Sequence, residues 1–449
     1  MKRSAARLSA VILAAGLFAV RAADWPRFLG ASSDGISVET GLLDKLPADG
    51  PGIIWQTNIG TGYSAPSVRD GKLVLYHRLG NEEIAEAMDA ATGKTIWRQA
   101  NPTAYVDPYG YNNGPRCTPL LTTNRCYTFG AEGKLSCLNL ADGRLVWRRD
   151  TAKEFTVPEA FFGVGSTPLL EGNLLITMVG GQTNSGLVAF NAGTGATVWE
   201  SVGAANWTGQ PMRGWPGERN VVWRPHDKQA SYSSPVAATQ HGRRVIFCLL
   251  RQGLVALDPA TGSVFDSFWF RSTVEDSVNA INPVVSGNHV FISAAYYKVG
   301  SVLLEVTAEM KFKEVWRDTV AEIHWTTPIL HVGHLFAFSG RNEPDASFRC
   351  LEFATGKLKW ARDESWRKRA TPPNTFGRGS AILADGKLIA LGEAGLLGLF
   401  KPNIEQLEEL GRWQVPGLHY PLWAAPVLSD KRVYLRSDDR LICLDFAKR

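Results

Sequence analysis

The stretch Ala87-Met-Asp-Ala-Ala-Thr-Gly-Lys-Thr-Ile-Trp97 occurs in variant form at three further places in the chain. In every copy an apolar segment leads into a polar turn, and a second segment ends in tryptophan. A glycine stands four residues before each tryptophan, in the pairs Gly93–Trp97, Gly143–Trp147, Gly195–Trp199 and Gly356–Trp360. Because glycine supplies the positive φ of a tight turn, each copy is predicted to be a β-hairpin. An aromatic at a fixed place in each repeat suits contacts between neighbouring sheets of a radial array.

A second repeated feature sets the length of the unit. A small residue followed by proline starts an apolar strand, a position where no ladder donor is needed. The copies are Ala65-Pro66, Thr118-Pro119, Thr167-Pro168, Ser234-Pro235, Asn282-Pro283, Thr327-Pro328 and Ala425-Pro426. The last two copies lie about twice as far apart as the others, and residues 380–387 fill the gap with the same pattern but no proline. The sequence therefore predicts eight repeats of about 50 residues, a period typical of β-propellers.

Four short strands are predicted in each repeat. The second repeat shows them as Cys117–Leu121, Arg125–Gly130, Lys134–Leu140 and Arg144–Arg149. The intervening Thr-Asn, Glu-Gly and Asp-Gly dipeptides are typical hairpin turns. The predicted fold is all-β, an eight-bladed β-propeller of four-stranded antiparallel blades.

The two ends of the chain are expected to meet in the last blade. The final repeat, from Ala425 to Phe446, has only three predicted strands, whereas the segment from Ile53 to Ile59 is a strand without partners of its own. Joining the two would close the ring and remove the free sheet edges. Eight outer strands are then expected, at Trp55, Trp97, Trp147, Trp199, Trp269, Trp316, Trp360 and Trp413, of which the Trp269 strand is the least regular.

The N-terminus has the order of charges and apolar residues of a signal peptide. Lys2, Arg3 and Arg7 precede a largely apolar run, which ends in small residues near Ala22. This pattern predicts export, to the periplasm or the medium of a bacterium. The expected division is a signal peptide over residues 1–22, a lead-in over 23–52 and the propeller over 53–449. No other apolar run reaches membrane length.

The composition is that of a globular protein and argues against a nucleic-acid partner. Hydrophobic residues make up 45% and charged residues 20% of the 449 residues, as in a globular protein. The net charge is +5, and no basic run occurs beyond Arg367-Lys368-Arg369, which argues against a nucleic-acid partner. Six cysteines match no zinc or haem framework. Cys126 and Cys137 are expected on adjacent strands of one hairpin, as a disulfide or as buried small hydrophobes.

The repeat Ala-x-Asp-x-x-Thr-Gly-x-x-x-Trp resembles that of the pyrroloquinoline-quinone-type (PQQ-like) propellers. The resemblance covers nearly all of the chain after residue 22, and the motif differs from that of WD40 blades. Quinoprotein dehydrogenases, which oxidise alcohols or sugars with quinone and calcium, form one branch of that superfamily. A non-catalytic branch is similar to the BamB lipoprotein that assists outer-membrane assembly. Fold resemblance alone does not choose between the branches.

Few features of the sequence point to catalysis. The alcohol-oxidising branch is recognised by adjacent cysteines beside the quinone, and this chain has none. Asp107, Glu159 and Asp276 stand in predicted loops as possible calcium ligands. No nucleophile elbow, zinc-protease motif or phosphate loop is present. The function favoured by the sequence is therefore a non-catalytic scaffold, and a PQQ- and calcium-dependent alcohol or sugar dehydrogenase is the alternative.

Candidate ligand-binding residues follow from the repeat. The residues just before each small-Pro pair enter the innermost strand, so they should ring one mouth of the central channel. They are Tyr63, Arg116, Tyr232, Asn279, Trp325, Arg378 and Trp423, with Gly165 in the third repeat, and His324 and His419 beside aromatics. The set contains two arginines and no carboxylate. Aromatic faces stack on sugars and arginine binds anions, so a glycan-like or anionic ligand, or an acidic protein segment, is expected. The alternative is that these side chains only fill the channel.

Three segments rich in aromatics and proline or glycine are expected on one face of the propeller, at 105–116, 206–232 and 419–423. They form either a binding face or anchors that hold long loops onto the blades. The whole chain is expected to act as a monomer that binds a protein partner or a glycan-like ligand.

Signal-peptide cleavage is directly testable. We expect N-terminal sequencing of the native protein to begin near Ala23 or Asp24, because the charged, apolar and small-residue order is that of a processed leader. A native preparation that begins at Met1 would contradict this prediction.

Overall fold

A computed structural model describes residues 23–158, 162–207, 230–272, 274, 277–366 and 374–449. The predicted signal peptide, Glu159, Asp276, the basic run at 367–369 and most of the segment 206–232 lie outside the described residues. The described strands form eight four-stranded antiparallel sheets. The prediction of an eight-bladed propeller is confirmed.

The first strand, β1 (Ile53–Asn58), belongs to the last blade. The first four blades contain β2 (Ser67–Arg69), β3 (Lys72–Leu79), β4 (Glu82–Asp89), β5 (Thr95–Pro102); β6 (Leu120–Leu121), β7 (Arg125–Phe129), β8 (Lys134–Asn139), β9 (Leu145–Asp150); β10 (Leu169–Glu171), β11 (Leu174–Gly181), β12 (Ser185–Asn191), β13 (Thr197–Ser201); and β14 (Val236–Gln240), β15 (Arg243–Leu249), β16 (Gly253–Leu257), β17 (Val264–Trp269).

The remaining blades contain β18 (Val284–Ser286), β19 (His289–Ala294), β20 (Gly300–Val306), β21 (Phe312–Asp318); β22 (Ile329–His331), β23 (His334–Ser339), β24 (Ser347–Glu352), β25 (Leu358–Asp363); β26 (Ser380–Ala384), β27 (Lys387–Leu391), β28 (Leu396–Lys401), β29 (Glu408–Gln414); and β30 (Val427–Ser429), β31 (Arg432–Arg436), β32 (Arg440–Asp445). The described helical segments are α1 (Thr151–Glu154) and the 3₁₀ turns Ala204–Asn206, Tyr296–Lys298 and Glu343–Asp345. No helix in the described part of the chain is long and apolar enough to cross a membrane.

The ring closes through the N-terminal strand, as predicted. β1 pairs with β32 in antiparallel register, with Trp55 opposite Cys443. A buried arginine adds a second connection, because Arg436 of β31 donates to the carbonyl oxygens of Ser64 (2.7 Å) and Gly60 (3.1 Å) in the segment between β1 and β2. Burial lowers the pKa of Arg436 to about 10. The closure thus unites both ends of the chain in one blade.

The tryptophans join each blade to the next one. In six blades the indole Nε1 donates to a carbonyl oxygen in the following blade, at 2.8–3.1 Å. The six are Trp55, Trp97, Trp147, Trp199, Trp316 and Trp360. In all of these except Trp360, the turn glycine of the following blade lies against the ring, and a Cβ at Gly143 would come within 2.5 Å of Trp97. The glycine is therefore required both by its φ of 75° and by this close approach.

Two blades depart from the predicted pattern. Trp269 was expected at the regular position, but there Asp266 stands opposite Ala256 and accepts from the backbone N–H of Phe312 in the next blade (2.7 Å). Trp269 lies at the strand end, with its ring 5.3 Å from that of Trp207. Counting four residues forward from Gly262 gives Asp266, so the glycine spacing in the sequence already indicated this residue.

The seventh blade docks on the lead-in. Trp413 lies opposite Leu397, further along its strand than the other tryptophans, and Gly411 takes the regular position. A Cβ at Gly50 would come within 2.1 Å of the Trp413 ring. Because the eighth blade has no covalent turn between β32 and β1, the lead-in provides the surface that a turn provides elsewhere.

The small residue before proline has a structural role in five blades. The backbone N–H of Thr118 donates to Thr167, that of Thr167 to Ser234, that of Ser234 to Asn282 and that of Asn282 to Thr327, each time to a side-chain oxygen at 2.8–3.2 Å. These bonds form an arc around the channel at the starts of the inner strands. We call the end where inner strands begin the mouth face and the other end the floor face.

The lead-in runs along the floor face. Trp25 bridges to Val68, and Ile36 bridges to Leu383, at the ends of their inner strands. Glu39 accepts from the backbone N–H groups of Asp430 and Lys431. The lead-in thereby spans the floor from the first blade to the last one.

All six cysteines are free and buried. Cys126 and Cys137 lie on adjacent strands as expected, as buried thiols and not as a disulfide, because Cys126 stands opposite Leu138 and Tyr127 stands opposite Cys137. Successive side chains in a strand alternate between faces, so the two thiols belong to different inter-blade cores.

A tryptophan in the closing strand tests the importance of docking. We expect Trp55→Ala to lower the free energy of unfolding by about 2–3 kcal/mol, because ring packing and the hydrogen bond to Ala90 are lost. Ile54→Ala on the same strand, where the side chain is 42% exposed, should change it by less than about 0.5 kcal/mol. Urea denaturation of both variants measures this, and equal effects would contradict the docking role.

Candidate functional site

A cavity of about 360 Å³ opens at the mouth face of the channel. Its wall is mainly aromatic, with a smaller number of charged and polar groups. The aromatic residues are Phe28, Tyr63, Tyr111, Phe162, Tyr232, Tyr296, Trp325, Tyr420 and Trp423. The inner strands begin at the mouth face, because the segments that connect one blade to the next run on this side of the propeller. Phe28 comes from the lead-in and reaches the cavity from the floor face.

Most of the predicted mouth residues line this cavity. They are Tyr63, Arg116, Tyr232, His324, Trp325, Arg378 and Trp423, together with Gly165. The repeat-based reasoning therefore located the cavity, and the role of these residues in ligand binding stays a prediction.

Two predicted residues lie elsewhere. Asn279 is fully buried, and its Nδ2 donates to the carbonyl oxygens of Leu250 and Phe270, both at 2.9 Å. Its neighbours Val278 and Ala280 line the cavity in its place. His419 has a 58% exposed side chain whose Nε2 lies 3.7 Å from a carboxylate oxygen of Asp439.

Arg378 lies at the centre of a hydrogen-bond network. Its Nε and Nη2 donate to the carboxylate of Glu393 at 3.0 and 2.8 Å, and Nη2 also donates to Glu343 at 2.7 Å. Nη1 donates to the carbonyl oxygen of Arg341 at 2.7 Å and to Nδ1 of His324 at 3.0 Å. All five N–H donors of the guanidinium thus have protein acceptors.

His324 is held neutral by this network. Burial, followed by the charge of Arg378, lowers the pKa of His324 to about 3. A neutral imidazole accepts at Nδ1, which agrees with the donor from Arg378. His324 is therefore suited to hydrogen bonding and is not a base that is half-protonated near neutral pH.

Arg116 also has a carboxylate partner. Its Nη2 forms an ion pair with Asp107, whose side chain is fully buried. Further hydrogen bonds run to the carbonyl oxygens of Gly114 and Asn112, both at 3.0 Å. The guanidinium lies over the ring of Tyr63, 5.7 Å from its centroid.

The expectation of a mouth without carboxylates is wrong. Glu343 lines the cavity, Glu393 lies directly behind Arg378 and Asp107 lies behind Arg116. Glu343 and Glu393 were missed because they come from a 3₁₀ turn and from the turn between β27 and β28, and Asp107, in the loop after β5, was named only as a possible calcium ligand. None of them stands just before an inner strand, so the repeat gave no signal for them.

The aromatic rings that line the cavity are steeply inclined to the ring of Trp423. Trp423 meets Tyr63 at 52°, Tyr111 at 58°, Trp325 at 52° and Tyr420 at 85°. Tyr111 and Tyr420 belong to two of the segments that the sequence singled out, 105–116 and 419–423, and these segments do meet. The contribution of the third segment is limited to Tyr232 within the described residues.

Two polar atoms of the wall have no protein partner among the described residues. They are the hydroxyl oxygen of Tyr63 and Nε1 of Trp325, and both are buried. Buried polar atoms usually have hydrogen-bond partners, so these two atoms favour a polar occupant in the cavity.

Quinone and calcium were the alternative that the sequence left open. Calcium prefers several free carboxylate and carbonyl oxygens, whereas Asp107, Glu343 and Glu393 are bonded to arginines. Among the described residues no three His, Cys, Asp or Glu side chains form a group that could hold a metal ion. The donor set at the cavity thus does not fit calcium. Asp107, one of the predicted calcium ligands, is a partner of Arg116 instead.

The fold and the repeat define a PQQ-like propeller, and comparison with known proteins narrows this class. The family model described as outer membrane protein assembly factor BamB matches residues 80–361. The chain belongs to this family.

Similar proteins support the assignment over shorter stretches. BamB of Shewanella oneidensis is 29% identical over 159 residues, which cover 33% of this chain and 36% of that protein. BamB of Moranella endobia is 26% identical over 178 residues, 37% of this chain and 41% of that protein. The matched part is thus less than half of each relative.

Solved structures show the shared fold. BamB from Moraxella catarrhalis has a TM-score of 0.55 at 14% identity, covering 89% of this chain and 98% of that one. Quinohemoprotein alcohol dehydrogenase from Comamonas testosteroni has a TM-score of 0.62 at 13% identity, covering 95% and 81%. At such identities the similarity concerns the fold and does not separate binding from catalysis.

The neutral state of His324 predicts a pH effect on stability. Its pKa is lowered on folding, so the unfolded chain binds a proton that the folded protein excludes. Stability from this residue is present above about pH 6.5 and is lost as the pH falls from there toward 3. When the pH falls from 7.5 to 5, the free energy of unfolding of the native protein should decrease by about 1–2 kcal/mol more than that of the variant His324→Asn. The asparagine keeps an acceptor for Arg378.

Thermal or urea unfolding at several pH values measures this difference. The control variant His419→Asn changes an exposed histidine of the same face. If His324→Asn and the native protein showed parallel pH profiles, the buried neutral imidazole would be contradicted.

Proposed function

We propose that the protein is an exported, non-catalytic scaffold that binds a protein partner in outer-membrane protein assembly. It acts in the periplasm as a monomer, and the partner docks on the mouth face. Family membership supports the assembly role, and the predicted signal peptide supports the location.

One observation carries the choice of face. Large apolar side chains are exposed around the cavity, namely Val106 (70%), Tyr111 (54%), Tyr109 (53%) and Tyr420 (39%). They are held from below by other rings, since Phe162 lies 5.1 Å from Tyr109 and 5.9 Å from Tyr111. We call these four residues the aromatic rim, although Val106 contributes an aliphatic side chain.

The rim has the properties of a contact surface. Tyrosine and tryptophan are enriched at interface centres, where they bury much area with few rotatable bonds. Packing from Phe162 and Trp423 holds the rim tyrosines in place before a partner arrives, which lowers the entropy cost of binding. At the floor face, the lead-in of the same chain already occupies the first, seventh and eighth blades.

Site-specific photo-crosslinking tests the proposed face. A benzophenone amino acid replaces Tyr109 or Tyr111 in the full-length protein, expressed in the organism that encodes it. We expect both positions to crosslink to the same component of outer-membrane protein assembly, identified by mass spectrometry. The matched control is Val332, which is 79% exposed on the turn between β22 and β23 at the floor face.

The outcome separates the two faces. Crosslinks from the rim and none from Val332 support the proposal. The same partner crosslinked from Val332 alone, or no assembly component at any position, would overturn it.

A further inference from the structure

We propose that the interior of the mouth cavity binds a neutral pyranose sugar, as a free sugar or as one or two residues of a glycan. The cavity shares Tyr111 and Tyr420 with the rim, but the inference does not depend on the protein contact there. The inference rests on the size, the charge balance and the wall of the cavity.

The volume is that of a small-molecule site. About 360 Å³ lies near the lower end of the roughly 300–1,000 Å³ that ligand pockets occupy. Phe28 of the lead-in lines the cavity on the floor side. The cavity is therefore bounded by the lead-in as well as by the blades.

The charges exclude an ionic ligand. Arg378 uses all five donors on protein acceptors, and Arg116 is paired with Asp107. An anion would have to displace a buried carboxylate, which is costly. A cation would have to compete with the two guanidinium groups that already lie over Tyr63 and Trp423.

The wall favours a puckered ring over a flat one. A planar ring that stacks on both of its faces needs parallel walls, whereas the rings around Trp423 stand at 52–85° to it. The aliphatic C–H faces of a pyranose pack against aromatic rings while its hydroxyls point outward between them. A thick polyol ring thus fits the cavity better than a flat heterocycle.

Polar groups are placed between the aromatic walls to meet hydroxyls. Tyr63 Oη can donate or accept and Trp325 Nε1 can donate, and neither has a described protein partner. Glu343 has a 24% exposed carboxylate that accepts from Arg378 and from Tyr420 and retains further acceptor capacity. A ligand with several hydroxyls satisfies these groups at once.

The experiment titrates the full mature protein with glucose, galactose, N-acetylglucosamine, maltose and cellobiose. Glucuronate, choline and a tryptophan-containing dipeptide are comparators, and calorimetry and tryptophan fluorescence are the readouts. At least one neutral sugar should bind with a Kd of about 1 mM or tighter, and the comparators should bind at least about tenfold more weakly.

Variants with matched controls locate the site. Tyr63→Phe removes a polar atom without a described protein partner, so it should leave the melting temperature unchanged and weaken sugar binding about tenfold. Trp325→Phe removes Nε1 and part of a ring that packs on Trp423, so it should weaken sugar binding at least as much and lower the melting temperature slightly. Tyr127→Phe removes a hydroxyl that donates to the carbonyl oxygen of Ala192 inside the blades (3.1 Å). It should lower the melting temperature and leave the sugar affinity unchanged.

Several results would overturn the inference. They are no binding by any sugar of the panel, equal or stronger binding of glucuronate, choline or the dipeptide, or unchanged sugar affinity in both cavity variants. Failure here together with crosslinks from the rim would remove the sugar site and leave the protein scaffold. Sugar binding without rim crosslinks would do the reverse.

Discussion

The contact between each blade and the next is the interaction on which the whole ring depends. An indole donates to a carbonyl oxygen of the neighbouring turn, and the turn approaches the ring so closely that only glycine fits. The same short contact recurs around the molecule and fixes the angle between blades. Because neighbouring blades are separate sheets that pack face to face, a defect at one contact weakens the apolar interface between two blades. The position of the mouth residues therefore depends on contacts at the outer circumference.

Most of the architecture could be predicted from the sequence, because each repeat satisfies the same structural constraints. The glycine and tryptophan spacing identified the blades, and a missing strand near Ala425 together with a spare strand at Trp55 identified the closure. The tryptophan pattern predicted the wrong residue in the fourth blade. Trp269 lies three residues after Asp266, and Asp266 makes the inter-blade contact through its carboxylate. A carboxylate that accepts from a backbone N–H, in place of an indole that donates to a carbonyl oxygen, has no signature in a pattern of tryptophans.

The candidate site was predictable only as far as it follows the repeat. Residues that stand before the inner strands were found, since every blade enters from the same face. Glu343 and Glu393 were not, because no periodicity marks them, and they reverse the expected chemistry by occupying the arginine forks. Phe28 was missed since the lead-in has no repeat of its own. Asn279 is the opposite case. It stands at the predicted position before an inner strand, but its side-chain amide donates to a backbone carbonyl oxygen and does not line the cavity.

The two faces of the propeller therefore differ. The lead-in of the same chain contacts the first, seventh and eighth blades at the floor face, whereas the mouth face has exposed aromatic residues around a cavity. Hydrogen exchange of the protein alone and in its native complex, purified from the cell, tests this difference most directly. The account predicts slower exchange at 105–113 and 418–424 in the complex and no change at the floor turns 70–71 and 430–431. Protection of the floor turns with an unchanged mouth face would contradict it.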